Sequence, residues 1–363
     1  MLNPKNIYLI KILEEIQMEV RKICILVNGE ELKEINGVII NTIFNECEGI
    51  RRIAIEGGKY NFITSDGKVL SKTEDFEDAY DFCEDFAVVK RENGEYNYLK
   101  KDGTILSQTE DFKNANNFKE GFALVNRENG EYNYLTLKGT ILSPDENFRD
   151  AYDFSDGFGK VKRRNGRYNY ITSTGEVLCQ TEDFREAFDF HEGFARVKRK
   201  NKRYNYITEK GNILNQTEDF KNAYDFCEGF GAVQRANGKY NYIASAGNIL
   251  NQKEDFKKTY DFHEGFGVVK RENGKYNYIT STGDILRLKE DFEAAYDFHE
   301  GVGIVQKENQ KWNYITAIGA FLSKQEDFIS VENFSDDVGK VQREDGTRNY
   351  IDKNGNFANQ YWI

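Results

Sequence analysis

The sequence predicts an all-β tandem-repeat fold built from three-stranded meander units of 36 residues. One aromatic recurs every 36 residues, and its copies are Tyr60, Tyr96, Tyr132, Tyr168, Tyr204, Tyr240, Tyr276 and Trp312. Asn follows this position in all nine copies, and another aromatic follows each Asn. The composition agrees, since the 27 Phe and 22 Tyr favour strands, where flat rings pack well on a pleated surface.

One copy, residues 83–118, gives the predicted elements in chain order. An Asn-Gly turn at 93–94 and an Asp-Gly turn at 102–103 separate three segments with the β-branched and aromatic content of strands. The predicted strands are 86–91, 96–100 and 104–107. The remaining segment, 110–118, connects one copy to the next and is interpreted as a short helix or as a bend with an edge strand.

A single meander cannot bury its aromatic face alone, so the copies are expected to stack. The residue after the first-strand aromatic is small, as a site pressed against a neighbouring ring requires. These residues are Ala54, Ala87, Ala123, Gly159, Ala195, Gly231, Gly267, Gly303 and Gly339. We expect an open, curved or superhelical solenoid; a closed β-propeller is the alternative, although nine copies exceed the usual four to eight blades.

The repeat divides the chain into three parts. Residues 1–46 are predicted to form a capping region, with an amphipathic helix within 1–24 and a degenerate half-unit after it. Residues 47–357 hold about nine repeats, and 358–363 form a C-terminal tail.

Composition and charge exclude several classes of protein. Sixty-one acidic and 50 basic residues give a net charge of -11, which opposes non-specific nucleic-acid binding and suits a basic partner surface. Charged residues interrupt the N-terminal apolar residues, so they do not form a signal peptide, and no apolar run is long enough to cross a bilayer. Five cysteines do not indicate a disulfide framework, and we expect a reducing cytoplasm.

Three stretches of one copy resemble a known family. Gly274-Lys275-Tyr276-Asn277-Tyr278-Ile279, Thr282-Gly283-Asp284-Ile285-Leu286 and Tyr260-Asp261-Phe262-His263-Glu264-Gly265-Phe266 are similar to parts of the bacterial WG (KWG) repeat. The resemblance covers roughly residues 47–357. It departs at the eponymous pair, because Trp is kept at Trp312 alone, Tyr replaces it in the seven copies before, Arg348 stands there in the last copy, and Asn replaces Gly throughout. The resemblance implies interaction through the repeats and no particular reaction.

Polar residues that recur at a repeat position are interpreted first as structural. His191, His263 and His299 share a position that also holds Cys, Ser and Lys, so neither a metal nor a cofactor is predicted there. The recurrent Glu-Asp-Phe is expected to cap the connector through its Asp, which would accept backbone N–H groups. The Asn after the recurrent aromatic is expected to satisfy backbone groups across the stack.

Basic residues at one register are the candidate binding residues. They are Lys90, Arg91, Arg127, Lys162, Arg163, Arg164, Lys198, Arg199, Lys200, Arg235, Lys270 and Arg271. In a stack they would form a cationic stripe, either neutralised by the adjacent Glu92, Glu128 and Glu272 or open to an anionic partner.

These patterns favour a non-catalytic protein, because no nucleophile with a base, no phosphate-binding loop and no zinc spacing is present. The leading hypothesis is a repeat protein that binds a protein partner over an extended surface, in a sharper form as an acidic inhibitor or decoy of a nucleic-acid-handling protein. The alternatives are single-stranded nucleic-acid binding along the basic stripe and a purely structural adaptor. The sequence predicts no membrane association.

Overall fold

The computed structural model describes residues 33–35, 38–287 and 289–358. The predicted N-terminal helix lies outside the described residues, and the predicted C-terminal tail is described only at its first residue. Within the described residues the sole helical element is a 3-10 turn at Glu56–Gly58. A search of the same residues found no helix with the length and hydrophobicity to cross a membrane.

Nearly all regular structure is β-strand, which confirms the predicted all-β repeat fold. The chain forms two compact units, residues 1–166 with 171–176 and residues 167–170 with 177–363. The first contains β1 (Lys33–Ile35), β2 (Val38–Cys47), β3 (Ile50–Ile55), β4 (Tyr60–Thr64), β5 (Asp78–Ala79), β6 (Phe86–Lys90), β7 (Tyr96–Lys100), β8 (Asn114–Lys119), β9 (Phe122–Asn126), β10 (Tyr132–Thr136), β11 (Asp150–Ser155) and β12 (Phe158–Lys162).

β13 (Tyr168–Thr172) holds residues of both units. The second unit contains β14 (Glu186–His191), β15 (Phe194–Lys198), β16 (Tyr204–Thr208), β17 (Asn222–Cys227), β18 (Phe230–Gln234), β19 (Tyr240–Ala244), β20 (Lys258–His263), β21 (Phe266–Lys270), β22 (Tyr276–Thr280), β23 (Ala294–Ala295), β24 (Val302–Gln306), β25 (Trp312–Thr316), β26 (Ser330–Val331), β27 (Val338–Gln342), β28 (Arg348–Asp352) and β29 (Phe357–Ala358). The described strands form nine antiparallel sheets of three or four strands, each a meander in chain order.

The sheet β17-β18-β19 shows how one repeat is built. Its first hairpin turns at Glu228 and Gly229, whose φ angles of 50° and 81° are both positive, as in a type I′ turn. Its second hairpin turns at Gly238, with φ of 86°. Because L-residues rarely adopt positive φ, glycine at these two turns relieves strain that a side chain would add.

The third predicted strand was wrong in position. Residues 104–107 contribute only an isolated bridge, between Leu99 and Ile105. The third strand of a repeat sheet comes instead from the segment interpreted as a connector and precedes the other two strands, as β8 does in the sheet with β9 and β10. The type I′ turn at Glu120 and Gly121 explains this, because a two-residue hairpin directs the chain straight back along its neighbour.

Aromatic side chains pack one sheet against the next within each unit. In the second unit, the ring of Phe230 stacks on Phe262 of the following repeat, with centroids 4.2 Å apart. The edge of Tyr242 meets the same Phe262 at 5.0 Å. Phe262 and Tyr242 are each 1% exposed, and burial of such side chains stabilises the fold by roughly 1.5–3 kcal/mol each. The repeats therefore share their cores.

A buried tyrosine hydroxyl explains the recurrent small residue. The hydroxyl of Tyr206 lies 2.5 Å from the main-chain oxygen of Tyr224 and 3.3 Å from that of Ala232, both in the next repeat. A Cβ added at Gly231 would lie 2.7 Å from this hydroxyl. The same close approach recurs at Gly159, Gly267, Gly303 and Gly339. The predicted contact between the small residue and a neighbouring ring is confirmed at these glycines, whereas Ala54 lies at another register, opposite Tyr60.

Where the small residue is alanine, the hydroxyl of the preceding repeat's tyrosine makes a single hydrogen bond. Tyr170 precedes Ala195, and its hydroxyl bonds only the main-chain oxygen of Phe188. Tyr98 precedes Ala123 and likewise bonds only Asn116. Glycine at this position thus goes with two hydroxyl bonds and alanine with one.

In most repeats a glutamate at the type I′ turn joins that turn to the next one, whereas Asp156 and Asp336 stand at this position in two of them. The Glu192 carboxylate accepts hydrogen bonds from the backbone N–H groups of Glu228, at 2.9 Å, and Gly229, at 2.7 Å. Glu228 and Glu264 each make the same pair of bonds one repeat later. The Glu-Gly dipeptide thus fixes the register between repeats.

Candidate interaction surface

Most arginines of the predicted basic stripe lie in ion pairs that join successive repeats. Arg199 presents Nη2 to the Glu182 carboxylate at 2.6 Å, and its Nη1 donates to Asp219 at 3.0 Å. Glu182 precedes the sheet that contains Arg199, and Asp219 follows that sheet. The three side chains are 31%, 12% and 11% exposed. One guanidinium therefore holds the connectors on both sides of its sheet.

Equivalent ion pairs recur in both units, and we call the set the arginine ladder. Its other members are Arg91 with Glu74 and Asp111, Arg127 with Glu110, Arg163 with Glu146, Arg235 with Glu218 and Asp255, Arg271 with Glu254 and Asp291, Lys307 with Asp327, and Arg343 with Glu326. Their charged atoms lie 2.7 to 3.1 Å apart.

The neutralising carboxylates differ from the predicted ones. Those of the ladder come from the recurrent Glu-Asp-Phe, separated from the arginine by 17 residues on one side and 20 on the other. The adjacent turn glutamates have other partners: Glu92 lies 3.6 Å from Lys59 and Glu272 lies 2.9 Å from Lys239. These glutamates lie in the turns that follow the arginines and pair there with lysines of the preceding repeat, so adjacency in sequence did not indicate contact.

Hydrogen bonds in the ladder favour the ionised form of four of its aspartates. Burial alone would raise the pKa of Asp219, but hydrogen bonds from Asn205, Asn201 and Arg199 outweigh burial and lower it. The same balance lowers the pKa of Asp255 and its equivalents Asp291 and Asp327. On the cationic side, the hydrogen bond to Glu218 is the main cause that raises the pKa of Arg235.

The Asn of the repeat is a buried structural residue, as predicted, although its partners lie within one repeat. The amide of Asn205 donates to the main-chain oxygen of Asn215 at 3.0 Å and to Asp219 at 2.7 Å. Its oxygen accepts from the backbone N–H groups of Tyr206 and Asn215. The Asp of Glu-Asp-Phe therefore accepts bonds from side chains, where backbone N–H groups had been expected.

The other predicted basic residues lie outside the ladder. Lys198 pairs with a glutamate at 2.8 Å, and Arg164 pairs with another at 2.6 Å. Lys90 and Lys270 lie 5.9 and 5.0 Å from the ring centres of nearby tyrosines. The remaining two are the half-buried Lys162 and the exposed Lys200.

The edge strands carry a second recurrent surface. In β17 the pairing register shifts between Ala223 and Phe226, so Tyr224 and Asp225 form a bulge. Tyr224 is 40% exposed and the Asp225 side chain 45%. We call the set the Tyr-Asp edge; it comprises Tyr80-Asp81, Tyr152-Asp153, Phe188-Asp189, Tyr224-Asp225, Tyr260-Asp261 and Tyr296-Asp297.

One sequence signal could have revealed this edge. Ala223 and Phe226 are both buried but stand three positions apart, whereas a regular strand buries every second residue. The spacing indicates a bulge that turns the intervening pair outward. The tyrosines at 80, 152, 224 and 296 are 40% to 56% exposed, which is uncommon for large aromatic side chains.

Two of the three histidines lie beside this edge. Nε2 of His191 is 3.9 Å from Asp225, and Nε2 of His263 is 3.6 Å from Asp297, each in the following repeat. In the part of the chain that the structure describes, no three His, Cys, Asp or Glu side chains gather as a metal site requires.

Comparison with known proteins finds the family that the repeat resembles. Residues 170–204 and 291–312 match the family model described as the WG containing repeat. No curated protein matches the chain. Among solved structures it is similar to the computationally designed Ika8 protein, with 14% identity over 75% of this chain and 94% of that one and a TM-score of 0.30. The WD40 β-propeller domain of Doa1 matches with 10% identity over 67% and 91% and a TM-score of 0.24. BamB from Moraxella catarrhalis matches with 10% identity over 89% and 96% and a TM-score of 0.22.

Proposed function

We propose that this chain, a protein of WG-containing repeats, is a non-catalytic module that binds a basic protein partner along its Tyr-Asp edge. The observation that carries the proposal is the exposure of aromatic and acidic side chains side by side at one repeat position, as at Tyr224 and Asp225. Tyrosine is enriched at protein interfaces because it buries a large area and loses little conformational entropy.

Charge supports a basic partner. The chain carries a net charge of -11, and the arginines of the ladder already have acidic partners. The aspartates of the Tyr-Asp edge lie at the surface, where Asp261 and Asp297 add negative charge beside Tyr260 and Tyr296. Opposite charge on a partner would raise its association rate and fix its register.

The finer form of the proposal is an inhibitor or decoy, located in the cytoplasm, that occupies the basic channel of a nucleic-acid-handling protein. A row of acidic and aromatic groups at a fixed spacing can occupy a surface shaped to bind a polyanion with stacked bases. This form differs from a structural adaptor, for which no substitution on the edge would weaken binding.

Binding to two labelled probes tests the proposal. A peptide of alternating arginine, lysine and glycine stands for a basic partner, and a single-stranded oligonucleotide stands for a nucleic acid. We expect the peptide to bind in low salt and the Tyr224→Ala/Tyr296→Ala variant to bind it at least tenfold more weakly. Ile318→Ala, which removes an apolar side chain that is 87% exposed and outside the edge, is the matched control.

Two results would reject the proposal. One is binding of the oligonucleotide without binding of the peptide. The other is an equal loss of peptide binding in the tyrosine variant and in Ile318→Ala.

A further inference from the structure

The protein binds one of its own arginines on the Tyr-Asp edge. The Arg196 guanidinium lies 3.8 Å from the centre of the Phe188 ring. Its Nη1 donates to the main-chain oxygen of Ala223 at 2.7 Å, and its Nε lies 3.6 Å from the Asp225 carboxylate. One guanidinium is thus surrounded by an aromatic face and by a carbonyl oxygen and a carboxylate of the following repeat.

The same arrangement occurs four repeats earlier, in the first unit. Arg52 lies 4.1 Å from the centre of the Phe44 ring, its Nη1 donates to the main-chain oxygen of Ala79, and its Nε lies 3.2 Å from Asp81. Two independent copies therefore show that this junction between repeats binds a guanidinium.

Two repeats after Arg196, equivalent residues occupy the positions around the arginine, but the arginine itself is absent. Val268 stands at the arginine position, with Tyr260, Ala295 and Asp297 at the positions of the ring, the carbonyl and the carboxylate. We call this place the Val268 site. Val268 is 2% exposed, so a guanidinium could reach the site only from solvent, across the half-buried Tyr260 and towards Asp297, which is 51% exposed.

The geometry of the Val268 site matches that of the occupied one. Tyr260 and Tyr276 have ring centroids 6.5 Å apart at 42°, whereas the equivalent pair beside Arg196 measures 6.5 Å at 44°. His263 lies 3.6 Å from Asp297, and the equivalent pair is 3.9 Å apart. The replacement of arginine by valine therefore leaves the surrounding side chains in place.

Charge at the Val268 site is left incompletely balanced. Among the described residues, His263 is the only basic side chain within ion-pair distance of Asp297. Burial raises the pKa of Asp297, His263 opposes this, and the neighbouring Asp261 adds to it. The ring of Tyr260 already attracts a cation, since Nζ of the exposed Lys258 lies 4.2 Å from its centre.

We propose that the Val268 site binds the guanidinium of an arginine on the partner protein, in the way that the protein binds its own Arg196. This inference rests on the proposed function and names the partner group that one repeat junction recognises. Arginine suits the site better than lysine, because a planar guanidinium can stack on a ring while it donates to a carbonyl and a carboxylate at once.

Calorimetric titration with hexa-arginine and with hexa-lysine tests the site. We expect hexa-arginine to bind at least tenfold more tightly than hexa-lysine. Val268→Arg places an internal guanidinium in the site and should weaken hexa-arginine binding at least tenfold. Ser281→Arg adds the same charge at an exposed turn and should weaken it less than twofold.

Two further variants keep the test decisive if Val268→Arg does not fold, which circular dichroism would reveal. Arg196→Ala opens a second site and should raise the number of bound peptides. Asp297→Asn removes the carboxylate and should weaken hexa-arginine binding about tenfold while it leaves the weaker binding of hexa-lysine within twofold of the parent.

Different experimental results would contradict this inference and the proposed function. Equal binding of both peptides, with equal effects of Val268→Arg and Ser281→Arg, would overturn the Val268 site and leave a basic-partner surface standing. Binding of neither peptide would overturn both proposals.

Discussion

The arginine ladder and the Tyr-Asp edge recur with the same 36-residue spacing but differ in where their side chains find partners. In the ladder, each charge meets an opposite charge from a neighbouring connector, as in Arg199 with Asp219. On the edge, a bulge turns Tyr224 and Asp225 towards solvent. Periodicity alone therefore does not separate a buried position from an exposed one. The two sets differ in burial: the side chains of Glu182 and Asp219 are 12% and 11% exposed, whereas that of Asp225 stays 45% exposed beside His191 and Arg196.

Removal of a ladder arginine should give the largest effect on stability. Arg199→Met leaves Glu182 and Asp219 without their cation, and both are nearly buried. Loss of one partner of a fully buried pair costs about 3–5 kcal/mol, and partial exposure here reduces the expected loss to about 2–3 kcal/mol. Urea unfolding monitored by circular dichroism measures it.

The neighbouring Lys200→Met is the control, because Lys200 is exposed and lies outside the ladder. Its effect should stay within about 0.5 kcal/mol. Equal unfolding midpoints for the two variants would show that the ladder does not stabilise the fold. Neither variant should alter binding of the basic peptide, whereas the tyrosine substitutions on the edge should alter binding and leave stability nearly unchanged.

The two surfaces should respond oppositely to pH. The folded pKa of Asp219 lies below its ordinary 3.8, so its contribution to stability is present above that value and is lost as the pH falls through the folded pKa. The folded pKa of Asp297 is raised, so stability falls as the pH rises from 3.8 through the folded pKa.

Asp219→Asn and Asp297→Asn separate these two contributions. At pH 7 we expect the first to lower the melting temperature and the second to raise it slightly. Below pH 3.8 both differences from the parent protein should shrink, because the parent carboxyls are then largely protonated when unfolded. Melting temperatures measured between pH 3 and pH 7 would contradict the assignment if both variants shifted in the same direction.

The smallest effect is expected at a turn between the two surfaces. Lys202 has φ of 67° at a position where most copies have glycine, as at Gly238. Lys202→Gly should stabilise the protein by about 0.5–1 kcal/mol, because it relieves a left-handed backbone. Lys200→Gly, whose backbone is not left-handed, should instead be neutral or destabilising. A lower melting temperature for Lys202→Gly would show that the turn is not strained.

Much of the fold could be predicted from single-residue patterns. The period, the strands that begin at Phe86 and Tyr96 and the small residue beside a neighbouring ring are all confirmed. Each depends on local propensity or on recurrence at a fixed spacing, which is visible along the chain. The position of the third strand was wrong, because the type I′ turn at Glu120 and Gly121 includes a non-glycine residue at positive φ, which composition does not indicate.

The candidate surface was harder to predict, since it depends on contacts between segments distant in sequence. The basic residues were identified by their shared repeat position. Their acidic partners, 17 residues before and 20 residues after each arginine, were not. The Tyr-Asp edge was visible as a recurrent motif, and only the bulge between Ala223 and Phe226 shows that it faces solvent.

The sequence by itself determined that this protein is a β-repeat array, because a constant period requires every copy to make the same contacts with its neighbours. The tertiary structure alone decided which recurrent residues remain available to a partner. Two positions with equal periodicity differ in exposure when one lies among opposite charges and the other lies on a bulged edge, as Asp219 and Asp225 do. That difference depends on the distances between side chains of successive repeats.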